Sequence, residues 1–203
     1  MKRAFRTILL FAGPLLILSA CAGNVLHIPG DLTRPARPVS PVAGATRVAV
    51  ADFSHTPAAD NAVGRDFDHA RPIVWKGEPG KAMADLVAGV LAESGVATAR
   101  RAEDASAADG VPVRISGVVR RFEVNSRRTG GTVVTEATVT LVVTAEGPGL
   151  SGPYKQTVTS STSLSDLFVT PDDPREALLS AANTVAEEVV RKLLEAKVVP
   201  PPS

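Results

Sequence analysis

This sequence has few cysteines, few aromatic residues and no large excess of either charge, and each of these features excludes certain structures or functions. A single cysteine occurs among 203 residues, so no disulfide can form within the chain. Aromatic residues make up 4%, which leaves Val, Leu, Ile and Ala to build the core. The 22 basic residues nearly balance the 21 acidic ones. This balance argues against a nucleic-acid partner.

Catalytic motifs are also missing. No serine lies in a G-x-S-x-G motif, so a serine hydrolase has little support. The glycines of residues 77–80 lack the Lys-Ser/Thr pair that follows a phosphate-binding loop. We therefore expect no enzymatic activity and no cofactor.

The first twenty residues have the layout of a secretory signal peptide. Three basic residues precede an apolar run over residues 8–18, and small residues follow it. The run is shorter than the roughly 18 residues that span a bilayer, and Gly13-Pro14 interrupts it. We predict that residues 1–20 are cleaved off.

The segment Leu18-Ser19-Ala20-Cys21 resembles a bacterial lipobox, in which the cysteine receives a diacylglyceryl group after cleavage behind Ala20. The alternative is an ordinary signal peptide in which Cys21 is incidental. Each buried CH₂ contributes about 0.8 kcal/mol, so several acyl chains would hold the protein on a membrane. Ala22 follows the cysteine in place of the Asp of an inner-membrane retention signal. We expect a lipid anchor in the outer membrane and a domain that faces the periplasm.

Proline-rich segments flank the part that is expected to fold. Residues 21–44 are predicted to be a lipidated tether, and residues 198–203 a disordered tail. Residues 45–197 are predicted to form a single domain.

The folded part begins with a strand and a helix. Residues 46–53, TRVAVADF, are typical of a buried strand. Residues 54–80 are predicted to be a long loop with one short extended piece at 72–75. Apolar residues at helical spacing over 83–91 predict a helix that ends at Gly95.

Three strands and a second helix follow. The strands are predicted over residues 111–124, 132–145 and 154–161, joined by short turns, with one apolar face and one threonine-rich face. The second helix begins at Asp173 and Pro174, which are typical of an N-cap and a first helical position. This order predicts an α+β two-layer sandwich, with a four-stranded mixed sheet and two helices on one face (β-α-β-β-β-α).

The chain resembles the YajG family of bacterial lipoproteins and, more loosely, the auxiliary lipoproteins of envelope transport systems. The resemblance is carried by the lipobox, TRVAVADF, the helix ending at Gly95, the strand pair over residues 111–143 and the helix DPREALLSAANTVAEEVV. It implies an envelope protein without a catalytic motif.

Acidic residues and histidines cluster in the predicted loop. Asp66, Asp68 and His69, with Asp52 and His55 upstream, contain the ligand types that bind a divalent ion. Their spacing matches no known metal motif, and a solvated polar loop explains them equally well. A loop-based metallohydrolase is the weaker alternative for function.

Two arginine pairs, Arg120-Arg121 and Arg127-Arg128, are predicted to flank the first hairpin tip. Guanidinium groups suit the phosphates of a lipid or another envelope anion. The alternative is that these charges keep a strand edge soluble. Trp75 is either an exposed anchor for a partner or part of the core.

The leading expectation is a lipid-anchored, non-catalytic outer-membrane lipoprotein that binds another envelope component. The alternative is an auxiliary subunit of a lipid or lipopolysaccharide transport or assembly system.

Overall fold

The computed structural model of the protein describes residues 25–32, 48–56, 61–101, 113–147, 149–168, 170 and 172–199. The predicted signal peptide and Cys21 lie outside these residues. Among the described helices, none is long and apolar enough to cross a membrane.

Nine strands and two helices make up the described part of the chain. The strands are β1 (Leu26–Pro29), β2 (Val48–Ala51), β3 (Ser54–His55), β4 (Ala62–Asp66), β5 (Arg71–Lys76), β6 (Thr98–Arg101), β7 (Val113–Thr129), β8 (Thr132–Glu146) and β9 (Tyr154–Asp166). The helices are α1 (Pro79–Glu93) and α2 (Asp172–Glu195).

Strand β7 is the centre of one mixed sheet. One of its edges pairs antiparallel with β8 along nearly its whole length, and β8 pairs antiparallel with β9. The other edge pairs in parallel with β2, then β3, then β4. Strand β6 extends the sheet beyond β2, and β5 and β1 extend it beyond β4.

Both helices pack on one face of this sheet. In β8 the side chains alternate, so that Ala137, Val139, Leu141 and Val143 are all fully buried. They share one apolar core with the buried stripe of α2 and with the apolar side of α1. The opposite face of β8 is partly exposed and threonine-rich, as the alternation predicted.

The predicted α+β class, the two helices and the β7–β8–β9 hairpins are confirmed, but four strands understate the sheet. The predicted loop over residues 54–80 contains β3, β4 and β5. Gly64 allows β4 to approach β7, since a Cβ there would lie 1.6 Å from the Val124 carbonyl oxygen. Such a contact between distant parts of the chain leaves no periodic pattern.

The predicted tether and tail also need correction. Residues 26–29 lie within the predicted tether but form β1, whose Leu26 and Ile28 are buried. Proline is tolerated at the end of this edge strand because no ladder donor is required there. Val198 and Val199, predicted to be disordered, are buried against the core, and the Val198 N–H bonds to the Leu193 carbonyl at 3.0 Å.

Candidate functional site

Asp66 ends β4 as a fully buried carboxylate in the turn that leads to β5. Its Oδ2 accepts a hydrogen bond from Arg71 Nε at 2.7 Å and lies 2.8 Å from His69 Nδ1. Its Oδ1 accepts the backbone N–H groups of Asp68 at 3.1 Å and His69 at 3.4 Å. The carboxylate therefore accepts hydrogen bonds both from backbone N–H groups of the turn and from the arginine that starts β5.

The pKa of Asp66 is set by two opposed effects. Burial raises it, but the hydrogen bonds and positive charges of His69 and Arg71 outweigh burial and hold the pKa below its usual range. Asp66 is thus a paired anion at neutral pH. A carboxylate in this state is a structural ion-pair partner, whereas a general acid needs a raised pKa.

Two other residues of the predicted metal cluster, Asp68 and Asp52, are paired with arginines from other strands. Asp68 Oδ2 accepts a hydrogen bond from Arg128 Nε at 2.8 Å. Asp52 is ion-paired with Arg100, which belongs to β6. Within the described residues, no group of three His, Cys, Asp or Glu side chains is placed to hold a metal ion. Asp66 and His69 are in contact, but the expected ligand set is not assembled among the described residues.

The four predicted arginines are not one patch. A β-bulge between Val119 and Arg121 shifts the register of β7, so that Arg120 and Arg121 are both exposed. Arg121 and Arg127 are six positions apart along β7, a distance of about 20 Å. Three of the four arginines form ion pairs: Arg121 with Glu123 at 2.8 Å, Arg127 with Glu136 at 3.4 Å and Arg128 with Asp68 at 2.8 Å. Only Arg127 and Arg128 lie near the tip, and their pairing weakens the case for anion binding.

Trp75 belongs to the core, so its interpretation as an exposed anchor is wrong. It is 1% exposed, and its ring meets Phe122 edge-on with centroids 5.0 Å apart. Its Nε1 has no hydrogen-bond partner among the described residues and adjoins a cavity of about 10 Å³ that His55 also lines. Burial lowers the pKa of His55, which favours the neutral imidazole. This cavity has the size of a single water molecule.

A larger groove lies along the outer edge of β9. It encloses about 500 Å³ between β9 and α2. Thr157, Val158, Thr159 and Ser160 line it on the strand side, and Thr184, Glu187, Glu188, Arg191 and Lys192 line it on the helix side. Within the described part of the chain, β9 pairs with β8 alone, so its other edge carries unpaired backbone groups.

The helix wall of this groove is charged but internally paired. Arg191 donates to both carboxylate oxygens of Glu188, at 2.5 and 2.8 Å, and Lys192 lies 3.5 Å from Glu188. The hydrogen bond from Arg191 lowers the pKa of Glu188. The wall therefore offers no excess of one charge, and we expect contacts in the groove to depend on hydrogen bonding and shape.

Strand β9 lacks the features that usually protect a free edge. Residues 156–165 contain no charged residue and no proline, and the pairing with β8 runs without a bulge. Natural sheets blunt such edges with charges, prolines or bulges, or by covering them. The stretch QTVTSSTSLS was visible in the sequence, but only the topology shows that it lies at an edge. The free edge and the groove beside it together form a candidate binding site.

Comparison of the sequence with protein-family models gives no match. Comparison with curated proteins gives none either. The resemblance to the YajG family thus remains a prediction from the sequence.

Solved structures share the fold. A protein from Xanthomonas campestris of the family DUF330 is 18% identical, with a TM-score of 0.57, covering 85% of this chain and 96% of that one. An uncharacterized protein is 12% identical, with a TM-score of 0.51, covering 84% and 99%. A minor lipoprotein from Acinetobacter baumannii (11% identity, 77% and 97% covered) has a TM-score of 0.40, too low to show a shared fold. The chain therefore has the fold of a DUF330 protein.

Proposed function

We propose that this protein is a lipoprotein, anchored through Cys21 in the outer membrane, whose α+β domain binds another envelope component without catalysis. The lipobox supplies the observation that carries the proposal. Positive charge, apolar run, small residues and the single cysteine stand in the order that lipidation requires. Only three residues, 22–24, separate Cys21 from Val25, the first described residue.

The groove beside β9 is the proposed binding site of this domain. An extended segment of a partner adds to a free strand edge through main-chain hydrogen bonds, and side-chain pockets provide specificity. Strand β9 offers 13 residues of edge. The groove next to it gives the added segment a second wall on α2.

The anchor is tested by replacing the cysteine. We expect Cys21→Ser to abolish incorporation of labelled fatty acid and to leave unprocessed precursor in the membrane fraction. The matched control is Ser19→Ala, which retains the thiol and a small residue in the lipobox and is expected to be labelled and processed. Normal processing of Cys21→Ser would show that the signal peptide is of the ordinary kind.

The binding site is tested by a photo-crosslinking amino acid at Ser161 in living cells, with the same residue at Lys81 on the exposed side of α1 as control. We expect an adduct from position 161 that is absent from position 81. Mass spectrometry of the adduct identifies the partner and the crosslinked segment. Equal adduct patterns at both positions would contradict a role for the β9 edge.

An auxiliary subunit of a lipid or lipopolysaccharide transport system is the second candidate. It is favoured by the sequence resemblance to auxiliary lipoproteins and by an edge long enough to receive a segment of a larger machine. In this case the adduct at position 161 contains a transporter subunit, and deletion of the gene disturbs outer-membrane lipid asymmetry. Intact asymmetry after deletion would leave the simpler binding role.

A further inference from the structure

The exposed large apolar side chains of the described residues are few and unevenly placed. They are Val25, Phe67, Leu167 and Phe168, which are 40%, 58%, 60% and 72% exposed. Isolated exposed apolar residues are ordinary, whereas several at one place mark a contact with another apolar surface. Their location is therefore informative.

The strand register places all four at one end of the sheet. We call this the hairpin end, because it carries the β7–β8 turn at Gly130 and Gly131. Strand β4 runs toward it and pairs Asp66 with Ser126, so that Phe67 follows just beyond, its N–H bonded to the Ser126 carbonyl at 2.8 Å.

Strand β9 also ends at the hairpin end. Asp166 pairs with Val133, and Val133 pairs with Arg128. Arg128 lies two residues before Gly130 of the hairpin turn. Leu167 and Phe168 continue past this level. They thus emerge at the same end of the sheet as Phe67, on the far side of the β7–β8 hairpin.

Strand β1 starts at the hairpin end as well. Strand β5 leaves the Phe67 turn at Arg71, and β1 runs parallel to β5 with Leu26 paired to Ile73. Val25 therefore emerges beside Pro72. Six strands reach this end, and at 4.7–4.9 Å between neighbours they span about 24 Å. The apolar residues occur at both margins and near the middle of this width.

The chain leading to the proposed anchor enters at this end too. The four residue-to-residue steps from Val25 back to Cys21 extend at most about 14 Å. A lipid on Cys21 would hold Val25 within that distance of the bilayer surface. The exposed apolar residues and the attachment point thus lie on the same side of the domain.

Charge at the hairpin end is largely paired. Arg71, Arg127 and Arg128 contact the carboxylates of Asp66, Glu136 and Asp68. Phenylalanine and leucine side chains insert at the boundary between headgroups and acyl chains without needing a basic surface. We therefore expect apolar insertion to dominate over electrostatic attraction.

We propose that the hairpin end of the domain docks on the phospholipid surface, with Phe67, Leu167 and Phe168 inserted at the headgroup level. This inference rests on the proposed lipid anchor at Cys21. Docking fixes the orientation of the domain: the hairpin end faces the lipid, and the opposite end of the sheet points into the periplasm.

Tryptophan fluorescence tests the orientation, because Trp75 is the only tryptophan and is buried. Full-length lipidated Phe168→Trp and Ser151→Trp are reconstituted into phosphatidylethanolamine–phosphatidylglycerol vesicles containing brominated lipid. Ser151 is exposed in the loop between β8 and β9, at the opposite end of the sheet. We expect blue-shifted, quenched emission for Phe168→Trp and wild-type quenching for Ser151→Trp.

Three further observations separate the possible failures. Flotation with the vesicles reports the anchor by itself, so protein that does not float contradicts the proposed function. Protein that floats without extra quenching at position 168 overturns the docking while leaving the anchor intact. Adding Phe67→Ser and Leu167→Ser to Phe168→Trp is expected to lower the quenching without loss of flotation, and undiminished quenching would show that these side chains do not hold the domain on the bilayer.

Discussion

Strands β7 and β9 flank β8 on opposite sides, and their outer edges differ sharply. The outer edge of β7 is divided among β2, β3 and β4, and the bulge at Arg120 interrupts its regular alternation. The outer edge of β9 has no partner strand among the described residues and is regular throughout. The outer edge of β7 is therefore covered by other strands, whereas the outer edge of β9 is not.

Buried side chains follow the same division. On the β7 side, Phe122 packs edge-on against Trp75, and the buried Asp66 pairs with the partly exposed Arg71. On the β9 side, only Val158 is buried along the strand. We infer that the contacts of β7 with β2, β3 and β4 contribute more to the free energy of unfolding than the contacts of β9 do.

The largest expected effect is on the β7 side of the core. Phe122→Ala removes a 3% exposed ring and its contact with Trp75, so we expect a loss of about 3–5 kcal/mol in the free energy of unfolding. The matched change on the β9 side is Val158→Ala, which removes two buried carbons and should cost about 1–2 kcal/mol. Urea unfolding of the full-length proteins measures both. Equal losses would show that the two sides contribute alike.

The next largest effect on the free energy of unfolding is expected at the ion-pair cluster of Asp66, His69 and Arg71. Asp66→Asn leaves Arg71 without its charged partner, and we expect a loss of about 2 kcal/mol at neutral pH, because water reaches Arg71 and His69 in part. Asp166, exposed at the end of β9, is the control, and Asp166→Asn should change stability by less than about 0.5 kcal/mol. A loss no larger than the control would mean that the buried charge contributes nothing net.

The same cluster predicts a pH dependence. Because the pKa of Asp66 is lowered in the folded protein, its stabilising contribution is complete above the unfolded pKa of about 3.9 and is lost as the pH falls through the folded pKa. The stability difference between wild type and Asp66→Asn should therefore narrow below about pH 4. A difference that stays constant at acid pH would show that Asp66 titrates normally.

Periodic local patterns predicted the helices and the long strands correctly. The apolar stripe of α2 and the alternation in β8 are properties of 10 to 20 consecutive residues, and burial of one face follows from them. Gly95 has a φ of +79° and terminates α1, as its position in the sequence predicted.

The short strands were missed because their pairing depends on distant residues. Strand β4 is held against β7 through Gly64 and Asp66, and β1 alternates over only four residues beside prolines. The bulge that turns both Arg120 and Arg121 outward is likewise a property of the β7–β8 pair. At the site, Asp66 and His69 are close in the sequence and in contact, whereas the arginine partners of Asp52 and Asp68 come from other strands, so local sequence does not reveal them.

The smallest expected effect on stability, and the most specific on function, is at the open edge. Thr159 lines the groove and hydrogen-bonds across the ladder to Thr140 on β8, 3.0 Å away. A lysine is a common means of blocking an edge strand, so Thr159→Lys should lower the crosslinking yield at position 161 several-fold, while the free energy of unfolding changes by less than about 1 kcal/mol. Thr140→Lys places the same charge on the same sheet face but on an interior strand, and should leave the crosslink intact. If both variants reduce the crosslink equally, the partner contacts the threonine-rich face of the sheet, and the free edge of β9 is not its binding site.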